Sequence, residues 1–82
     1  PLEEKGGTRP VHAPREGTVV WLKGDGRFVG WHHEIALIKY GRTIEESIPV
    51  YPPIDGTLRI IVKSGWVYKG TTIAEIVPSA LV

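Results

Sequence analysis

Between Pro10 and Val77 no window of the chain keeps apolar residues at helical spacing for two turns. Short runs rich in Val, Ile, Thr and aromatic residues recur instead, each closed by Gly, Pro, Asp or Ser, the pattern of strands joined by turns. Strands are predicted at about Pro10–His12, Thr18–Leu22, Arg27–Val29, Ile35–Lys39, Ile48–Tyr51, Thr57–Val62, Trp66–Tyr68 and Thr72–Val77. Residues 1–9 are polar and Gly-rich and read as a tail or linker, and residues 79–82 as a short C-terminal tail. The stretch between them, residues 10–78, is expected to be one domain, all that 82 residues have room for.

These runs fall into two sets of four. Val11-His12-Ala13-Pro14-Arg15-Glu16-Gly17-Thr18-Val19 aligns with Val50-Tyr51-Pro52-Pro53-Ile54-Asp55-Gly56-Thr57-Leu58 at a shift of 39. Four of the nine positions are identical, and the Glu/Asp and Val/Leu pairs are conservative. Gly26 meets Gly65 at the same shift, and after one deletion Ile35-Ala36-Leu37-Ile38 meets Ile73-Ala74-Glu75-Ile76 at a shift of 38. In each copy the Pro sets φ near about −65° and cannot continue a central ladder. The Gly three residues later carries no Cβ, which suits a positive φ or a close backbone approach. The β-branched run that follows packs well on a pleated surface. A four-stranded unit cannot bury both faces alone, so two units related by a pseudo-twofold axis are expected to close over a shared core.

Composition changes this picture little but excludes several functions. Ten Gly and seven Pro make about a fifth of the chain, against about 12% in ordinary proteins, which favours short strands and turns over helices. With 41% apolar and 23% charged residues, a packed core is expected rather than disorder throughout. Ten basic and nine acidic residues are well mixed, and a net charge of +1 removes the usual argument for a nucleic-acid surface. The absence of Cys excludes a disulfide framework, a thiolate zinc site and a thiol nucleophile, and leaves the redox compartment open. No apolar run reaches the roughly 18 residues that span a bilayer, so no membrane insertion by these residues is expected. The chain starts with Pro1 and holds no Met, the look of a fragment or processed product. A signal or anchor outside it, and a cytoplasmic or periplasmic location, therefore both stay open.

The duplicated motif resembles the biotinyl/lipoyl-like domain, or barrel-sandwich hybrid. Halves of that family share apolar-x-Ala/Pro-Pro-x-Asp/Glu-Gly, then a strand, Gly-x-Val-x-x-Gly and a closing Leu/Ile-Ala-x-Ile strand. Val50 to Val77 matches almost position for position. The first half keeps Ala13-Pro14-Arg15-Glu16-Gly17 and Ile35-Ala36-Leu37-Ile38, while Gly24-Asp25-Gly26-Arg27-Phe28-Val29-Gly30-Trp31 is an irregular version of the middle element. The resemblance covers about Pro10 to Val77. It implies an all-β fold of two roughly four-stranded antiparallel sheets with pseudo-twofold symmetry, and a projecting hairpin around Gly41–Glu46.

In carrier members of the family a Lys at that hairpin tip receives biotin or lipoate. Its place falls at Arg42 counted forward from Ile38, and at Glu45 counted back from Pro52-Pro53, so the tip is about three residues longer than in typical carriers. Arg42, Thr43, Ile44 and Glu45 therefore stand where the carrier lysine would be. A guanidinium stays protonated and is a poor acyl acceptor. The nearest amine is Lys39, three residues short of the tip and expected within a strand, and it is the acceptor only under a carrier reading. No cofactor is expected otherwise.

Other candidate chemistry is sparse. Neighbouring strand residues face opposite ways, so His32 and His33 share one metal ion only if the backbone turns between them; a polar turn before the fourth strand is the expected reading of His32-His33-Glu34. The glycines of Gly24–Gly30 lack the Gly-Lys-Ser/Thr ending of a phosphate loop and read as an irregular turn or bulge. Ser47, Ser64 and Ser79 have no nearby His and sit on no nucleophile elbow. Glu45 and Glu46 read as solubilising loop charges. Most of the seven aromatics, including Trp21, Phe28, Trp66 and Tyr68, are expected as core or half-buried cover. Trp31 is the candidate for an exposed contact residue, and Trp31, His32, Arg42, Glu45 and Glu46 form the candidate interaction surface.

The functional expectation is a non-catalytic, unmodified structural or interaction module of a larger protein. Its partner would be another protein or the rest of its own polypeptide, as in the periplasmic adaptor (membrane-fusion) proteins of the family. There the two lipoyl halves flank an inserted helical hairpin at the place of the longer loop here. The alternative is a biotin or lipoyl carrier domain of a carboxylase or acyl-transfer complex, and a further one is a docking appendage of an enzyme.

Overall fold

A computed structural model describes residues 7–78; residues 1–6 of the expected N-terminal tail and 79–82 of the C-terminal one lie outside the described residues. Eight strands form: β1 (Arg9–His12), β2 (Gly17–Trp21), β3 (Phe28–Val29), β4 (Ala36–Lys39), β5 (Ser47–Val50), β6 (Gly56–Ile60), β7 (Gly65–Val67) and β8 (Thr72–Pro78). There is no α-helix among the described residues. β1 begins at Arg9, one residue inside the stretch read as tail. β2 and β6 end before Leu22 and Ile61, earlier than the apolar runs do. Both stop the same way. The N–H groups of Leu22 and Lys23 both donate to the carbonyl of Ile35, and those of Ile61 and Val62 to the carbonyl of Ile73. Two donors on one acceptor break the one-to-one ladder and turn the chain.

The strands make two antiparallel four-stranded sheets, ordered β1-β8-β6-β3 and β5-β4-β2-β7. Advancing every strand of the first order by four turns it into the second, and the registers follow. Thr18, Val19, Val20 and Trp21 face Lys39, Ile38, Leu37 and Ala36. Their counterparts Thr57, Leu58, Arg59 and Ile60 face Val77, Ile76, Glu75 and Ala74. Pro10 and Pro49 occupy matching places on β1 and β5, both edge strands, where a missing N–H breaks no central ladder.

Close backbone approach explains the repeated glycine. A Cβ at Gly17 would lie 2.6 Å from the Lys39 carbonyl oxygen and 2.7 Å from Ile38 Cγ2. At Gly56 it would collide with the Val77 carbonyl oxygen and lie 2.7 Å from Ile76 Cγ2. In each half a strand starts where only glycine lets it cross so close to its neighbour.

The core is aliphatic and drawn from both sheets: Val11, Val19, Val29, Ile35, Ile38, Val50, Leu58, Val67, Ile73 and Ile76 with Ala13, Ala36 and Ala74. Among the described residues Trp21 is the one aromatic packed against it, its indole N–H donating to the Val62 carbonyl at 2.9 Å. The expectation that Phe28, Trp66 and Tyr68 also cover the core is corrected: they are 59%, 57% and 74% exposed. Phe28 and Trp66 sit on the edge strands β3 and β7, beside Val29 and Val67, which take the inward face. Alternation along a strand sends the aromatic out wherever the valine goes in.

Candidate functional site

β4 carries a loop at each end, and the residues of the candidate interaction surface fall on these two loops, while Lys39 is the last residue of β4 itself. After Lys39 comes the hairpin to β5, and before Ala36 comes the turn Gly30–Glu34. Trp31 and His32 are thus separated from Arg42, Glu45 and Glu46 by the length of a four-residue strand, about 13 Å. The residues grouped as one candidate surface occupy two places.

At the hairpin, Tyr40 N–H donates to the Glu46 carbonyl at 2.8 Å and Glu46 N–H to the Thr43 carbonyl at 3.0 Å. Glu46 does more than add charge. Its Oε1 accepts from the backbone N–H of Arg42 at 2.8 Å and of Thr43 at 3.3 Å, so the carboxylate is folded under the tip. Gly41 allows this, because a Cβ there would collide with the Glu46 side chain. The Ser47 hydroxyl donates to the Ile44 carbonyl. Arg42, Thr43, Ile44 and Glu45 are exposed around this scaffold. Lys39 pairs with Thr18 on one side and Ser47 on the other, inside β4 and on the face opposite the buried Ala36 and Ile38.

Beside the hairpin, at the start of β2, Arg15 Nη2 lies 3.1 Å from Glu16 Oε2, and its guanidinium sits 4.1 Å from the centre of the Tyr40 ring. The Glu16 carboxyl is held below its ordinary value, first by its own backbone N–H, then by the hydrogen bond and charge of Arg15, with a smaller contribution from Lys69.

At the other end of β4 the turn Gly30–Glu34 meets the β5–β6 loop Tyr51–Asp55. Gly30 N–H donates to His33 Nδ1 at 2.8 Å and His33 N–H returns to the Gly30 carbonyl at 2.9 Å, closing the turn. Trp31 N–H donates to Asp55 Oδ1 at 2.7 Å, and the Tyr51 hydroxyl reaches Glu34 Oε2 at 3.4 Å; these two bonds tie the loops together. Between them lies an open cleft of about 630 Å³ lined by Trp31, His32, Tyr51, Pro52 and Pro53. Trp31 is 65% and Tyr51 48% exposed, while Pro52 is buried beneath. The backbone does turn between His32 and His33, and their rings lie 4.3 Å apart, with His32 edge-on to Trp31 at 5.5 Å. Among the described residues no three His, Asp or Glu gather closely enough to hold a metal ion.

The sequence singled out Trp31 and the run His32-His33-Glu34 but not Tyr51, Pro52, Pro53 and Asp55, which the fold brings beside them. The available signal was Tyr51-Pro52-Pro53, an aromatic joined to two residues that cannot pair in a ladder. Set against models of known protein families the chain matches none, and no curated protein matches it significantly.

Proposed function

We propose that this chain is a non-catalytic interaction module of the biotinyl/lipoyl-like type, carried by a larger protein and working without a covalent prosthetic group. The hairpin tip carries this reading. A swinging-arm carrier needs a free amine at the tip of this hairpin, and here the tip presents Arg42, Thr43, Ile44 and Glu45 over a backbone gathered by the Glu46 carboxylate. Lys39 lies back in β4 between two paired neighbours. The matching registers of the two sheets support a duplicated unit. The lengthened β4–β5 connection favours the adaptor-like members, in which that junction is the site of insertion. Ser47 is engaged by the Ile44 carbonyl, which favours a structural over a nucleophilic role.

The test is intact-mass measurement after co-expression with a biotin ligase and, separately, a lipoate ligase. An unchanged mass is expected. A biotinyl or lipoyl increment, mapped to Lys39, would overturn the proposal and make the chain a carrier domain.

A further inference from the structure

The loop pairs at the two ends of β4 are counterparts at shifts of 39 and 38, yet they are charged differently. By the hairpin, the carboxylate of Glu16 is answered within the chain by Arg15 and, more weakly, by Lys69. By the cleft, Asp55 stands for Glu16, Ile54 for Arg15 and Trp31 for Lys69. The acid is kept, and both cations are replaced by apolar side chains. Glu34 adds a second carboxylate, and the segments Gly30–Glu34 and Tyr51–Asp55 contain no Lys or Arg. Both acidic residues are exposed, and their carboxylates accept hydrogen bonds from the two exposed aromatic residues that line the cleft, Asp55 from the Trp31 N–H and Glu34 from the Tyr51 hydroxyl.

We infer that this cleft receives a cationic side chain, Arg or Lys, presented by an extended segment of a protein partner. The cation supplies from outside the charge that Arg15 supplies at the other end. Trp31 and Tyr51 offer π faces, which attract cations most strongly when tryptophan is among them, and Glu34 and Asp55 set the sign of the field. A cleft of this size suits one or two side chains rather than a folded surface. Pro52 and Pro53 have no N–H to donate, so their stretch offers no strand edge to pair with and recognition runs through side chains. The inference rests on the interaction-module reading above and names the chemistry of its partner.

The experiment is a titration of the ¹⁵N-labelled chain with a blocked Gly-Pro-Arg-Pro-Gly peptide, its Lys form and its Gln form, followed by amide and indole N–H shifts. The Arg and Lys peptides are expected to move the Trp31 indole and the amides of Tyr51, Glu34 and Asp55. Trp31→Ala should weaken binding about tenfold. Trp31→Phe should retain most of it, Glu34→Gln should reduce it, and salt raised from about 50 to 500 mM should weaken it. Equal binding of the Gln peptide would overturn the inference in favour of a neutral, proline-binding cleft. Shifts centred on Glu16 and Tyr40, or none at millimolar peptide, would also overturn it. The mass measurement separates the two proposals: an unmodified chain that ignores the cationic peptides defeats this inference alone, whereas a modified chain defeats the module reading whatever the peptides do.

Discussion

In the ladders of the two halves, Val19 faces Ile38 as Leu58 faces Ile76, whereas in the loops that cap them Arg15 and Lys69 stand where Ile54 and Trp31 stand. The outer faces diverge as the loops do: Val20, Leu37 and Pro49 lie in one cross-strand row, and their counterparts are Arg59, Glu75 and Pro10. Interior positions are held by two constraints that act alike on both halves, filling a shared core and letting two backbones cross closely. Outward positions carry neither constraint, so each half keeps its own chemistry there. The difference between the halves is therefore where function is to be sought.

The sharpest way to break the comparison is through the core. Ile38→Ala and Ile76→Ala should each lower unfolding stability by about 2–5 kcal/mol, nearly equally, with an unchanged denaturant slope. A large cost in one and a small cost in the other would mean that the halves do not share the load. Next come the paired glycines. Gly17→Ala and Gly56→Ala should each cost about 1–3 kcal/mol, because the new methyl meets a carbonyl oxygen held in a ladder, not a flexible side-chain end. Near-neutral melting of either variant would remove the close-approach explanation.

A smaller effect tests where the halves part. Asp25 Oδ1 accepts from the Ile60 N–H at 2.7 Å. Asp25→Ala should cost about 1 kcal/mol and speed hydrogen exchange at Ile60, while Asp25→Asn, which keeps an acceptor, should do neither.

Smallest is the charge by the hairpin. Glu16 titrates below its ordinary value, so it binds fewer protons folded than unfolded at mildly acid pH. Its contribution is present above the ordinary carboxylate range and is lost as pH falls through the depressed value. Arg15→Ala should move the Glu16 titration, followed by carboxyl NMR shifts, part of the way back up. The Glu16 backbone hydrogen bond is the larger cause and should hold the remainder. No movement would show that the guanidinium is not felt in solution.

The eight strands could be read from apolar runs and from Gly and Pro because both report local backbone preference and a period of two. Each read boundary lies within two residues of the observed one. Residues matched by the alignment of the halves hold equivalent places in the two ladders, since register follows from keeping one set of side chains inward. The exposed aromatics did not follow. Whether Phe28 or Trp66 is covered depends on its strand being an edge and on what packs beyond it, and neither is encoded in neighbouring residues. The same holds for the cleft between two loops joined by the bond of Trp31 to Asp55, 24 residues apart, and for the Glu46 carboxylate turned under the tip. Local sequence carries hydrophobic alternation and turn chemistry, but the meeting of two loops follows from how far apart the sheets hold their ends. That distance exists only once the chain has closed.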